Sequence, residues 1–313
     1  MHKELKQFGK VKIEEPLSKH ITMKVGGRAK YFVVVETIEK LKELLSFLDG
    51  RGVPHIMLGG GSNIIFSDNG FDGVVIVFKD TTCNVVDTEV EVFSGCSTVR
   101  MAKESMAAGL TGFEWGVGIP GTIGGALRGN AGAMGAEMKD TVDRVEVYRN
   151  GEVLEISNEE CEFRYRDSAF KHNADIILRV WFTFAKVENE DVKKQAMEVL
   201  QYRIKTQPMG FPSSGSVFTN VQVKNLTSEI KNKEEIPKEF FEKGIIPTGW
   251  LIDSLGLKGI KIGGAQISEK HANFIVNVGE AKTQDILDLI ELIKEKVYTI
   301  YGINLEEEIK IVY

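Results

Sequence analysis

The chain has 313 residues, of which 42% are hydrophobic and 27% charged, the composition of an ordinary soluble globular protein with room for two or three domains. A formal net charge of −6 and the lack of any Lys/Arg run argue against nucleic acid as the main partner. No apolar stretch reaches the length of a membrane span, and the first residues hold no signal-peptide core, so a cytoplasmic protein without a membrane partner is expected. Cys83, Cys96 and Cys161 lack metal-binding or paired spacing and are read as three reduced thiols; the five histidines stand singly, so no bound metal is expected.

In chain order, Ala29 to Val35 reads as a strand, and Ile38, Leu41, Leu44, Leu45 and Leu48 form a helical stripe closed by Gly50. A short strand, His55 to Leu58, runs into Gly59-Gly60-Gly61-Ser62-Asn63. That pattern suits a phosphate-cradling loop, with a plain tight turn as its rival. Val74 to Phe78 then reads as a buried strand. Glu89 to Ser94 is a further strand and Thr98 to about Ala108 a helix.

Next comes the densest glycine run, Gly116 to Gly135, with eight of the 32 glycines. Glycine lets successive amides converge on an anion, while Ile119, Ile123, Ala126, Leu127 and Met134 tie the run to a core and exclude a flexible linker. Gly116 to Gly121 matches G-x-G-x-x-G, but Asp140 and Asp143 precede the next strand where the dinucleotide fingerprint needs an acid ending it. No P-loop motif occurs. Asn150-Gly151, between Arg144 to Tyr148 and Glu152 to Ile156, predicts a type I′ hairpin. Ala174 to Phe184 is long enough for a central strand, and a polar helix from about Glu190 to Lys205 leads to the linker at Gln207-Pro208. Beyond it, a helix from Thr248 to Leu255, a strand Ala272 to Val278, a helix Gln284 to Ile300 and a strand-like Leu305 to Val312 are expected. Without an exposed apolar stripe or heptad seam, a monomer is the expected state.

By spacing alone, Ser216, Arg166 and Glu308 read equally well as a turn serine and two solvated charges. Taken together, however, V-G-G-R-A at 25 to 29, L-G-G-G-S-N at 58 to 63, G-I-P-G-T-I-G-G at 118 to 125, Y-R-D-S-A-F at 165 to 170, G-S-V-F at 215 to 218, G-G-A-Q-I-S-E-K-H-A at 263 to 272 and L-E-E-E at 305 to 308 resemble the UDP-N-acetylenolpyruvoylglucosamine reductase (MurB) family. The motifs occur in the family's order along nearly the whole chain.

The resemblance implies an α+β architecture. An FAD-binding fold of the vanillyl-alcohol-oxidase type in two α+β subdomains, 1–78 and 79–206, would be followed by a third α+β substrate domain, 207–313, whose last strand can return to the first subdomain. It implies tightly bound FAD, NADPH as reductant, and UDP-N-acetylglucosamine enolpyruvate as the molecule reduced, a step of peptidoglycan precursor synthesis. Gly59, Gly60, Gly61, Ser62 and Asn63, with Gly118, Ile119, Pro120, Gly121, Thr122, Gly124 and Gly125, resemble the loops around the FAD diphosphate. Ser216 matches the proton donor, and Arg166 and Glu308 the pair around the substrate carboxylate, Glu308 as a protonated acid of raised pKa. Tyr165, Asn220 and Lys258 resemble positions of the sugar-nucleotide site.

Thr219 and Val221 depart from the family's pattern, in which a cation and then Asn-Pro follow G-S-[FV]-F. The short span from Arg166 to Ser216 places the chain in the subclass without the tyrosine-bearing loop. An FAD-dependent oxidase of the same fold keeps both glycine loops but leaves the joint presence of Ser216, Arg166 and Glu308 without a reason. A flavin-binding regulatory module without turnover is the non-enzymatic rival.

Overall fold

The computed structural model describes residues 1–313, the side chain of Asn189 excepted. The chain divides into two compact units. The first comprises Met1–Glu15, Ala29–Gly60 and Phe71–Lys205. Its four-stranded sheet has the order Lys10–Pro16, Arg28–Val35, Phe71–Phe78, His55–Met57, and the last three strands are parallel. Parallel strands need a crossover, which the helix Ile38–Asp49 supplies. Thr37 caps that helix by accepting the Lys40 amide at 3.3 Å. The stripe read from the sequence is its buried face: Leu41, Leu44, Leu45 and Leu48 pack with Val33, Val35, Val74 and Ile76, and with Tyr148 and Leu178 of the second sheet.

That second sheet is antiparallel, in the order Glu152–Ser157, Val142–Arg149, Ile176–Thr183, Glu89–Phe93, Cys83–Val86. The expected central strand does lie at the centre. Arg149 pairs with Glu152 across a two-residue turn in which Asn150 (φ 51°) and Gly151 (φ 93°) are both left-handed, as a type I′ turn requires. One expectation is corrected. The helix Asn189–Thr206 does carry an exposed apolar stripe, Met197, Leu200 and Ile204, because among its described residues only Val192, Ala196 and Val199 are buried.

The second unit comprises Pro16–Arg28, Gly61–Gly70 and Thr206–Tyr313. Two N-terminal segments thus pack with the C-terminal third rather than with the segments flanking them in sequence. The reason lies in the hydrogen bonding: Ile64–Phe66 pairs in parallel with Lys310–Val312, and the Thr22 hydroxyl donates to the Ser213 carbonyl at 2.6 Å. A four-stranded antiparallel sheet, Ser213–Ser216, Phe274–Asn277, Ala265–Ile267, Lys261–Ile262, forms the centre of this unit. The helix Thr283–Tyr301 buries Ile286, Leu289, Ile290, Ile293 and Val297. Asp68 accepts from the first amides of that helix, Thr283 at 2.9 Å and Gln284 at 3.2 Å. The terminal segment is less regular than its sequence suggests. Only Lys310–Val312 is a strand, because Glu306 to Glu308 bond instead to Val217 to Thr219, and the segment changes partner between them.

Candidate active site

In the first unit the two glycine motifs stand back to back. A side-chain carbon on Gly60 would lie 2.6 Å from the Gly121 Cα, and one on Gly59 would lie 2.5 Å from the Thr122 Oγ1. Neither distance is tolerable, so glycine at 59 and 60 is set by the neighbouring loop. Among the described residues the amides of Gly59, Gly60 and Gly121 donate to no protein acceptor, although Gly121 packs in the left-handed region at φ 134°. Amides without a protein acceptor on two closely packed glycine loops are available to an anion.

The loop is held from behind by the segment Ser94 to Thr98. The Ile123 amide donates to the Cys96 carbonyl at 2.8 Å and the Gly124 amide to the Ser94 carbonyl at 2.9 Å, while the Thr98 hydroxyl donates to the Ile119 carbonyl. Pro120 follows Ile119 and fixes φ at the bend. Thr122 caps the short helix Ile123–Arg128, accepting from the Gly125 amide at 3.4 Å. A 3-10 turn, Glu114–Gly118, precedes the loop where a dinucleotide fingerprint would have a strand.

Arg166 belongs to the same unit. It lies at φ 54° in a tight turn closed by mutual backbone bonds between Arg164 and Asp167 at 2.9 and 3.1 Å. A left-handed arginine costs on the order of 1–3 kcal/mol, a strain that such sites keep when it aims a side chain. Its guanidinium donates to the Gly132 carbonyl at 2.8 Å, and its charge lies 5.4 Å from the ring centre of Tyr165. Fully buried Asn130 fixes the turn against the glycine run: its amide donates to the Arg164 carbonyl at 2.8 Å and to Glu137, and its oxygen accepts the Lys139 amide at 3.1 Å.

Ser216 and Glu308 come together in the second unit. Ser216 closes the strand Ser213–Ser216 opposite Phe274, just after Gly215, which is left-handed at φ 77°. The next residue, Val217, accepts the Glu308 amide at 2.8 Å, so the backbones of the two predicted residues run side by side. Both side chains are half-buried. Asn63 reinforces this: its side-chain amide donates to the Glu308 carbonyl at 3.0 Å and its own carbonyl accepts the Lys310 amide at 3.0 Å. Gly61, at φ 65°, packs on the His20 carbonyl, and Ser62 joins it to Asn63. The Asn220 oxygen accepts the Thr248 amide at 3.1 Å, and Lys258 pairs with Asp253 at 2.6 Å.

Comparison with known proteins places this geometry. Residues 29–157 match the model of an FAD binding domain, and 207–312 that of the UDP-N-acetylenolpyruvoylglucosamine reductase C-terminal domain. UDP-N-acetylenolpyruvoylglucosamine reductase from Caldanaerobacter subterraneus is 38% identical over 99% of this chain and 96% of its own, and that from Clostridioides difficile is 39% identical over 96% and 93%. The chain belongs to the UDP-N-acetylenolpyruvoylglucosamine reductase family. The crystal structure of the Thermus caldophilus reductase superposes with a TM-score of 0.77 at 31% identity, covering 97% of this chain and 98% of that one. The fold is accordingly α+β, an FAD-binding domain of the vanillyl-alcohol-oxidase type joined to the reductase family's C-terminal domain.

Two further cations of this reductase family member, one lying on the glycine loop at Gly118 and one ending the helix that follows it, escaped the sequence reading. Arg203, from the helix Asn189–Thr206, crosses the loop at Gly118, its Cδ and Nε standing 2.5 and 2.8 Å from where a side-chain carbon on that glycine would be. Arg128 ends the helix Ile123–Arg128. Burial pushes both guanidinium pKa values down from the ordinary arginine range; the charge of Asp167 opposes this at Arg128, whereas burial alone acts on Arg203. A desolvated cation without a counter-ion is costly, and a bound anion would offset that cost. Nothing in the helical pattern of 190 to 205 distinguished Arg203 from its solvated neighbours.

Proposed function

We propose that this protein is an NADPH-dependent flavoenzyme that reduces UDP-N-acetylglucosamine enolpyruvate to UDP-N-acetylmuramate. The observation that carries the reading is the cradle: two interlocked glycine loops with free amides, with the half-buried Arg203 lying on the second loop at Gly118, in a chain whose relatives are reductases of that substrate class. A diphosphate fits this set, because it supplies acceptors to the amides and charge to the guanidinium group. Gly59 and Gly60 with Gly118 to Gly125 would hold the FAD diphosphate. Residues 1–78 and 79–206 serve the cofactor and 207–313 the substrate, with Tyr165, Asn220 and Lys258 on the sugar nucleotide.

When bound, FAD supplies the hydride that it receives from NADPH. The chain's own residues deal with the charge and the proton. Hydride addition to the vinyl carbon of the enolpyruvyl ether pushes electrons into the substrate carboxylate. Arg166, aimed by its strained turn, stabilises that charge. Glu308 donates a hydrogen bond to the same carboxylate, and the Ser216 hydroxyl delivers its proton to the adjacent carbon. The Asn63 bond to the Glu308 carbonyl keeps Glu308 in register with Ser216.

A spectrum of the purified protein, followed by anaerobic NADPH and then by the enolpyruvyl substrate, tests the reading. Flavin absorbance bleached by NADPH and restored only by substrate is the expected result; recovery in air alone would select an oxidase, and no flavin would overturn both. For Arg203→Met, fluorescence titration of the apoprotein should show FAD binding weaker by about 1.5–3 kcal/mol, roughly 10- to 150-fold, the worth of a charge-assisted bond. Arg203→Lys should recover part of it. Unchanged affinity in Arg203→Met would make this arginine a packing residue.

A further inference from the structure

Two of the three cysteines that the sequence left unpaired come near one another behind the cofactor loop. Cys83 opens the strand Cys83–Val86, opposite Val92 of Glu89–Phe93, and the chain then turns tightly, the Cys96 amide donating to the Phe93 carbonyl at 2.9 Å. With the Phe93 amide donating to the Thr82 carbonyl at 3.0 Å, this turn folds Cys96 back toward Cys83; the two pack into one apolar cluster, the Cys96 thiol donating to the Ser97 carbonyl at 3.6 Å. Cys96 is fully buried and Cys83 half-buried, so the pair has one side toward solvent. Gly95 is wedged beneath the carbonyls of Phe78 and Asp80, which leaves the turn little freedom to separate the sulfurs. Cys161, fully buried elsewhere with its thiol donating to the Ser157 carbonyl at 3.3 Å, has no such partner.

We propose that Cys83 and Cys96 are an oxidisable pair, and that closing their disulfide weakens the hold of the loop 118–125 on its diphosphate ligand. One thiolate attacks a peroxide oxygen, giving a sulfenic acid and hydroxide. The second thiol then displaces the sulfenic oxygen as water, so that two thiols are oxidised and peroxide is reduced to two waters. Hydrogen bonding by Cys83 favours the Cys96 thiolate and raises the pKa of Cys83 itself; the Arg100 guanidinium favours both anions and Glu104 opposes them. A disulfide needs the sulfurs about 2 Å apart, well inside thiol–thiol contact, so the segment carrying Cys96 must shift. That segment is tied to the loop by the bonds from Ile123 and Gly124 already described, by the Thr98 amide on the Gly121 carbonyl at 3.3 Å, and by the Ser97–Thr122 bridge.

The second half of this proposal rests on reading 118–125 as the FAD loop, and the test separates the two. The full-length protein is treated with hydrogen peroxide or diamide, its thiols are alkylated after unfolding, and the peptides are mapped. The expected result is loss of two thiols as a Cys83–Cys96 cross-link, with Cys161 still free, and no intramolecular cross-link in Cys83→Ser. FAD titration of the oxidised apoprotein should then show binding about tenfold weaker, within the usual range for coupled sites, and restored by dithiothreitol. Linkage requires FAD to disfavour the disulfide by the same factor, so in a glutathione buffer its reduction potential rises by about 30 mV when FAD is added. Both sulfurs remaining alkylatable, or cross-linking only between chains, overturns the pair. A cross-link with unchanged FAD affinity overturns the coupling, and a protein that binds no FAD in either state sinks the FAD reading while the peptide map still decides the disulfide.

Discussion

Ser216→Ala is expected to bind FAD normally and to be reduced by NADPH at a near wild-type rate, yet to return electrons to the enolpyruvyl substrate some 10²- to 10⁴-fold more slowly, the usual cost of removing a general acid. Hydride transfer from NADPH precedes any need for the serine proton, so only the oxidative half-reaction carries the loss. The local structure makes the variant a fair test. Val217 and Phe218, on which the strand is built, keep their bonds to Asn273 at 2.8 and 3.0 Å whatever stands at 216. Stopped-flow traces of the two half-reactions separate the outcomes. Reoxidation by substrate at an unchanged rate would leave Ser216 as a turn residue and move the proton to Glu308 or water.

How much of this was legible in the sequence differs by level. Local features were readable where one strong rule acts, as at Asn150-Gly151, whose left-handed pair dictates the hairpin, or along Ile38–Asp49, whose leucine period is its buried face. The site motifs were readable because glycine loops and G-S-V-F recur in a known order. What the sequence hid depends on contacts between distant segments. No pattern at 16 to 28 or 61 to 70 announces that they pack with the C-terminal third, since the deciding pairing, Ile64–Phe66 with Lys310–Val312, spans almost the whole chain. The desolvation of Arg128 and Arg203 and the meeting of Cys83 with Cys96 likewise exist only once helix, loop and strand are assembled.

The same distinction corrects the reason for the glycines and leads to the second large effect. A side chain at Gly60 meets the Gly121 backbone before any ligand, at 2.6 Å from its Cα and 3.1 Å from its carbonyl carbon. Gly60→Val therefore drives the two loops apart. Overpacking of this kind costs about 1–3 kcal/mol, and if the cradle opens to relieve it, FAD affinity falls by roughly 10- to 100-fold. Gly125 is the opposite case. A side-chain carbon there finds only the Thr122 Oγ1, at an ordinary 3.6 Å, and the residue is exposed within a short helix. In the protein alone, Gly125→Ala should therefore be neutral or stabilising by up to about 1 kcal/mol, the helix-propensity gain. If FAD lies against that helix start, the same methyl group occupies cofactor space and flavin content drops while the melting temperature of the apoprotein holds or rises. Thermal unfolding of the apoprotein and flavin titration, run on both variants, divide steric cost inside the protein from steric cost against the ligand. Full flavin content in Gly125→Ala would place the cofactor away from the helix start and leave the free amides of Gly59, Gly60 and Gly121 to hold the diphosphate alone.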